Sequence, residues 1–190
     1  MATTEFGTYH IADNPKQYQP LRTNNFRFLV YGLDNLLRAA GDAEDANDYI
    51  NNAQEVIDFS VVSFETPKFS QSPLDINRGN STLHYAGKAS FNNSRLVIND
   101  YAGADGKSIL KAWQALSYDV VNDTIPSSDV YKKQAVVLEY LPDNTLVNIY
   151  DIYGCWVGDI DETGWSNEDS GKKTVTAQII FDRCILRKPE

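Results

Sequence analysis

From Thr174 to Phe181 apolar side chains fall at every second position, with Val175, Ala177, Ile179 and Phe181 on one side and Thr174, Thr176 and Gln178 on the other. That two-residue period belongs to a half-buried β-strand. Asn25 to Tyr31 repeats it, setting Phe26, Phe28 and Val30 against Arg27 and Leu29. Arg95-Leu96-Val97-Ile98-Asn99 alternates more loosely and predicts a partly buried strand. Val56 to Glu65 predicts a longer strand with apolar residues on both faces, Ile57, Phe59 and Val61 opposite Val62 and Phe64. Gln134 to Leu141 and Thr145 to Val157 flank Pro142-Asp143-Asn144, the turn chemistry of a hairpin.

One segment changes period. Beyond Gly103 and Gly106, the residues Ile109, Ala112, Trp113 and Leu116 recur at i, i+3, i+4, i+7, which puts them on one stripe of a helix with Asp105 as its N-cap. Lys107, Lys111, Gln114 and Ser117 fall off the stripe, so the helix is expected to lie on a sheet, anchored by Ile109, Trp113 and Leu116. Asp34 to Glu55 is rich in Ala, Asn and Asp around Leu33, Leu36 and Leu37, suggesting a short helical insertion with a polar tail. Thr66 to Asn80 holds Pro67, Pro73 and Gly79, too many breakers for a buried strand, and predicts a long projecting loop. Its Phe69, Leu74 and Ile76, interspersed with Lys68, Asp75 and Arg78, suit contact with a neighbouring molecule, apolar groups giving affinity and charges register. The division expected is an N-terminal arm over 1–24, polar and carrying Pro15 and Pro20, and one domain over 25–190 containing the 34–55 insertion and the 66–80 loop.

Composition narrows the class. With 190 residues, 42% of them hydrophobic and 12% aromatic, the chain can bury one good core. Its 17 Lys+Arg against 26 Asp+Glu give a net charge of -9, which opposes attraction to phosphate backbones or anionic lipid. Cys155 and Cys184 fall in predicted strands and no charged-then-apolar leader opens the chain, the profile of buried thiols in a reducing cytoplasm. No segment reaches the roughly 18 uninterrupted apolar residues of a membrane span.

Candidate chemistry fails on spacing. Gly106-Lys107-Ser108 precedes a helix as a phosphate-binding loop does, but that motif needs an earlier glycine where Tyr101 stands. His10 and His84 have no cysteine or serine beside them with a nucleophile signature. Asp159-Ile160-Asp161-Glu162 lacks the glycine-punctuated pattern of a calcium loop and reads as a solvated turn before Gly164. The Asn-x-Ser/Thr triplets at Asn80, Asn92 and Asn122 matter only in a secreted chain. No catalytic residue, metal site or cofactor is expected.

Taken in order, these segments resemble the tail tube proteins of contractile-tailed bacteriophages. Phe26-Arg27-Phe28-Leu29-Val30 is similar to the family's first strand, Val61 to Pro67 to the second strand running into its long loop, and Arg95 to Asn99 with Ile109 to Leu116 to the strand and helix that follow. Trp113 sits where the family helix carries a tryptophan, Tyr131-Lys132-Lys133-Gln134-Ala135 resembles the start of the next strand, Ile152-Tyr153-Gly154-Cys155-Trp156-Val157 the glycine-and-aromatic strand, and Thr174 to Arg183 the closing strand. The resemblance implies a mainly β, α+β subunit, an antiparallel β-sandwich or barrel with one packed helix. It further implies a non-enzymatic virion protein whose hexameric rings stack into a tube, a conduit for DNA during ejection. Sheath, baseplate and tail terminator proteins are the implied partners, and DNA would traverse the lumen without specific binding. Two alternatives stay open: the inner tube of a phage-derived contractile injection system, and a monomeric β-barrel binding a small apolar ligand, suggested by 11 Tyr, 8 Phe and 3 Trp.

Overall fold

The computed structural model describes residues 20–35, 52–102, 105–164 and 171–189. Most of the expected arm, the centre of the expected insertion with Leu36 and Leu37, His10, and Gly103 lie outside the described residues. In chain order the elements are β1 (Phe26–Val30), α1 (Ala53–Ser60), β2 (Val61–Phe64), β3 (Lys68–Arg78), β4 (Ser81–Asn92), β5 (Ser94–Asn99), α2 (Gly106–Ala115), the short α3 (Ser128–Tyr131), β6 (Lys133–Tyr140), β7 (Leu146–Glu162), β8 (Thr174–Ile180) and β9 (Arg183–Arg187). All strand pairs are antiparallel.

The 17 residues of β7 organise the fold. Its first part pairs with β6 on one edge and β9 on the other; beyond Cys155 it pairs with β8. The seven-stranded sheet therefore runs β1-β6-β7-β8-β5-β2, with β9 joined to β7. It bends where β7 changes partners. Gly154, at φ 65°, forms the corner, and a Cβ there would come within 2.1 Å of the Asp182 carboxylate at the kink between β8 and β9. Asp182 N–H donates to the Tyr153 carbonyl at 3.0 Å, and Lys132 Nζ donates to its two carboxylate oxygens at 2.7 and 2.8 Å. Folded over in this way, the sheet brings its two ends together: Phe28 of β1 and Phe64 of β2 stack with centroids 4.8 Å apart. The result is the sandwich or barrel-like α+β architecture expected of the sequence.

Alternation supplies the core. Phe28, Val30, Ala135, Val137 and Ile152 from one half of the sheet meet Leu96, Ile98, Val157, Val175, Ala177 and Ile179 from the other, closed by Ile57, Ile109, Leu110 and Trp113 of the helices. Burial of each large side chain contributes ~1.5–3 kcal/mol. Cys155 lies in this core, where burial pushes its thiol up to about 12; partial burial pushes Cys184 to about 11. Among the described residues no helix is long and apolar enough to cross a membrane.

Four local expectations are corrected. Asp159 to Glu162, expected as a solvated turn, is the last part of strand β7, paired with β8. Val56 to Ser60, expected as strand, is the body of α1, and only Val61–Phe64 is extended. The apolar run fits either period; the helical one wins because it buries Ala53, Ile57 and Ser60 on one face. The helix is also fastened to β1, Gln54 Oε1 accepting from Val30 N–H at 2.7 Å and Asp58 pairing with Arg27. It is a second packed helix beside the expected one. Thr66 to Asn80, expected as a loop, is mostly strand β3, paired along its length with β4. Finally, the closing strand does not end at Arg183: it breaks at Phe181-Asp182 and continues as β9 to Arg187.

Candidate assembly surfaces

Strands β3 and β4 form a two-stranded ribbon of their own, exposed along both strands. Arg78 pairs with Ser81, leaving a two-residue turn, Gly79-Asn80. Gly79 has φ 62°, and glycine at the first central position is what a tight turn matched to strand twist requires. Pro73 is tolerated in a ribbon with two free edges, because its missing N–H interrupts no continuous sheet. A bulge opposes Ser72 to Gly87 and Lys88.

Between bulge and turn the ribbon has two distinct faces. Leu74 pairs with Tyr85 and Ile76 with Leu83, so four apolar side chains share one face while remaining 38 to 57% exposed. The other face is polar: Asp75 Oδ1 lies 2.6 Å from His84 Nδ1, and Thr82 Oγ1 donates to Asn77 Oδ1 at 3.0 Å. At the root, Lys68 Nζ contacts Glu65 at 2.8 Å and holds that carboxyl below its ordinary range. Phe69 packs on Phe91, and Phe91 on Phe181, with centroids 5.8 and 5.9 Å apart. These rings fix the ribbon to the corner of the sheet.

The residues singled out in the sequence thus separate. Lys68 and Phe69 belong to the root, Leu74 and Ile76 to the apolar face, Asp75 to the polar face and Arg78 to the tip. Sequence reasoning missed Leu83 and Tyr85, which complete the apolar face. The signal was present as Leu74-x-Ile76 mirrored by Leu83-x-Tyr85 about Gly79-Asn80.

Helix α2 is held from three directions. Asp105 Oδ1 accepts from Ser108 N–H at 2.9 Å as the N-cap. Ile109 and Trp113 are buried, Leu116 is half-buried against the core, and Trp113 Nε1 donates to the Tyr131 carbonyl at 3.0 Å. Gln114 Nε2 donates to the Gly158 carbonyl of β7 at 3.0 Å, where β6 no longer pairs with that strand. Lys107 and Lys111 contact Glu162 at 2.7 and 2.6 Å, hydrogen bonds that lower its carboxyl from the ordinary 4.5 to about 2. Lys107 therefore engages a carboxylate. Asp159 and Asp161 pair on the opposite face of β7 from Glu162, so the three carboxylates do not converge.

No protein-family model matches the chain, and no curated protein does. Solved structures do. The chain is similar to one in the extended-state sheath-tube complex of PVC, an extracellular contractile injection system, at 13% identity and TM-score 0.63, over 94% of this chain and 100% of that one. It is similar to a chain of the PVC sheath/tube terminator in its extended state at 12% identity and TM-score 0.62, over 89% and 97% of the two chains. A third likeness is to the tube-terminating cap of the anti-feeding prophage, at 9% identity and TM-score 0.61, over 90% and 92%. The protein shares a fold with tube and terminator components of contractile injection systems.

Proposed function

We propose that this protein is a structural tube subunit: copies associate side by side into hexameric rings, and the rings stack into a hollow tube. The observation that carries this reading is the end-to-end likeness of the chain to a sheath-tube component, covering the whole of that chain. The ribbon adds physical support. A half-exposed apolar face on a two-stranded extension stabilises nothing within its own subunit, whereas a neighbouring copy can bury it. Among the described residues β1, β2 and β9 each have an unpaired edge, which would give further strand-pairing sites between copies.

In a contractile phage tail such a tube would carry DNA during ejection, inside a sheath and between baseplate and terminator. In a phage-derived injection particle the same subunit would pass a different cargo. The injection-system source of the structural likenesses favours this second reading. Both need self-association. Size-exclusion chromatography with light scattering is expected to find ring-sized oligomers of the purified chain, and a stable monomer at every concentration would overturn the proposal.

A further inference from the structure

Among the described residues four large apolar side chains are at least 75% exposed, and three of them, Val120, Val121 and Ile125, lie on the loop between α2 and α3. The loop is not slack. Asp119 and Thr124 exchange backbone hydrogen bonds at 2.9 and 3.3 Å, closing a four-residue tip over Val120 to Asp123. Inside it the Asp119 carboxylate accepts from the Val121 N–H at 2.9 Å, the Asn122 N–H at 3.2 Å and Asn122 Nδ2 at 2.7 Å, and the Tyr118 hydroxyl donates to Asp123 at 2.6 Å. The polar groups tie the backbone and leave the two valines at the tip. Branched at Cβ, they have little rotamer freedom to lose on contact. A second apolar feature lies at the seam where β1 and β2 meet. Phe26, Val62, Phe64, Pro67 and Tyr150 line a depression of about 410 Å³ there, together with Arg22. Its one carboxylate, Glu139, accepts from Asn148 Nδ2 at 2.8 Å.

We propose that the Val120–Val121 loop is a knob that enters the β1–β2 depression of an adjacent copy. The assignment rests on the ring reading and goes beyond it by naming the two halves of one contact. In shape, a convex aliphatic tip faces a concave lining that is mostly apolar and aromatic. In charge, Asp119 and Asp123 flank the valines while the depression carries Arg22, so approach is attractive on that side. In position, the two cannot meet within one subunit. The chain runs from the loop through α3 into β6 at Lys133, whereas the depression lies by Glu139, six residues later and roughly 20 Å along the strand at its ordinary rise. A loop tied at its base does not span that distance. Because the surfaces are unlike, each copy gives its knob to one neighbour and its depression to another, a contact that propagates and can close into a ring instead of stopping at a pair. Three aliphatic side chains fall short of the roughly 800 Å² per partner of a self-standing interface, so the knob sets the register of a contact that other surfaces also hold.

Disulfide trapping tests the pairing. In a Cys184→Ser background, with Cys155 buried in the core, Val121→Cys is combined with Ser63→Cys, Ser63 being part of the depression. Mild oxidation of assembled material should give, on non-reducing gels, a ladder of covalent oligomers that ends at the closed ring. Each single variant should stay monomeric, and a mixture of the two single variants should stop at dimers. Rings that are visible by electron microscopy but give no ladder overturn the assignment. Self-dimerisation of the Val121→Cys variant overturns it as well, because that contact would be two-fold. A second variant reads the same contact without cysteines. Val120→Asp with Val121→Asp leaves the loop's backbone hydrogen bonds in place, so near-ultraviolet circular dichroism should be native while the concentration needed for rings rises about tenfold or more. Rings at the native concentration overturn the proposal. Absence of rings from the unsubstituted chain overturns the tube reading itself, and this assignment with it.

Discussion

Trp113 does two things at one position: its ring fills the space between α2 and the sheet, and its indole N–H satisfies the Tyr131 carbonyl just before β6. Trp113→Ala should destabilise the fold by ~3–5 kcal/mol through the cavity and the orphaned carbonyl, read as a lower urea midpoint. Unchanged urea stability would contradict the anchoring role. Gly154 is a different kind of dependence. A side chain there must adopt a left-handed backbone and displace Asp182 from Lys132, so Gly154→Ala should cost at least ~1–2 kcal/mol in the same assay. Glu162 supplies a pH signature. Its folded-state value of about 2 lies below the ordinary 4.5, so its pairing with Lys107 and Lys111 contributes stability fully present above pH 4.5 and lost as pH falls towards about 2. Thermal scans should show the native chain more stable than Glu162→Gln above that window and equal to it at the acid end; a pH-independent gap would refute the linkage.

At the scale of elements, the ribbon is the part that the fold itself does not need. Replacing Ser70–Ser90 by a short Gly-Ser turn, which keeps Phe69 and Phe91 at the root, or introducing Leu74→Asp with Leu83→Asp, should leave near-ultraviolet circular dichroism and urea stability close to native while abolishing polymerisation. Normal tubes from either variant would remove the ribbon from assembly. What the sequence revealed about elements follows from how many readings each pattern permits. Helix α2 and strand β8 were legible because a single period fits each and the off-period residues are mostly polar, Leu110 and Ile180 being the large apolar exceptions. Helix α1 was not, since Val56, Ile57, Phe59 and Val61 satisfy two periods and only contacts with β1 and α2 decide between them. The ribbon was misread because Pro73 and Gly79, breakers inside a buried sheet, are a harmless edge residue and a turn in an isolated hairpin. The corner at Gly154 was equally hidden, since the change of partners along β7 depends on where β8 stops and β9 begins.

For the whole molecule, the bent sheet closes its core among the described residues while the apolar face of the ribbon stays exposed and the edges of β1, β2 and β9 have no partner among those residues. That distribution is a poor fit to a monomeric binder, whose apolar surface lines a pocket, and a good fit to a subunit completed by its neighbours. Negative-stain electron microscopy of the concentrated, purified chain tests this most directly. The account predicts hexameric rings and hollow cylinders built from them; fields of isolated single subunits at every protein and salt concentration would contradict it.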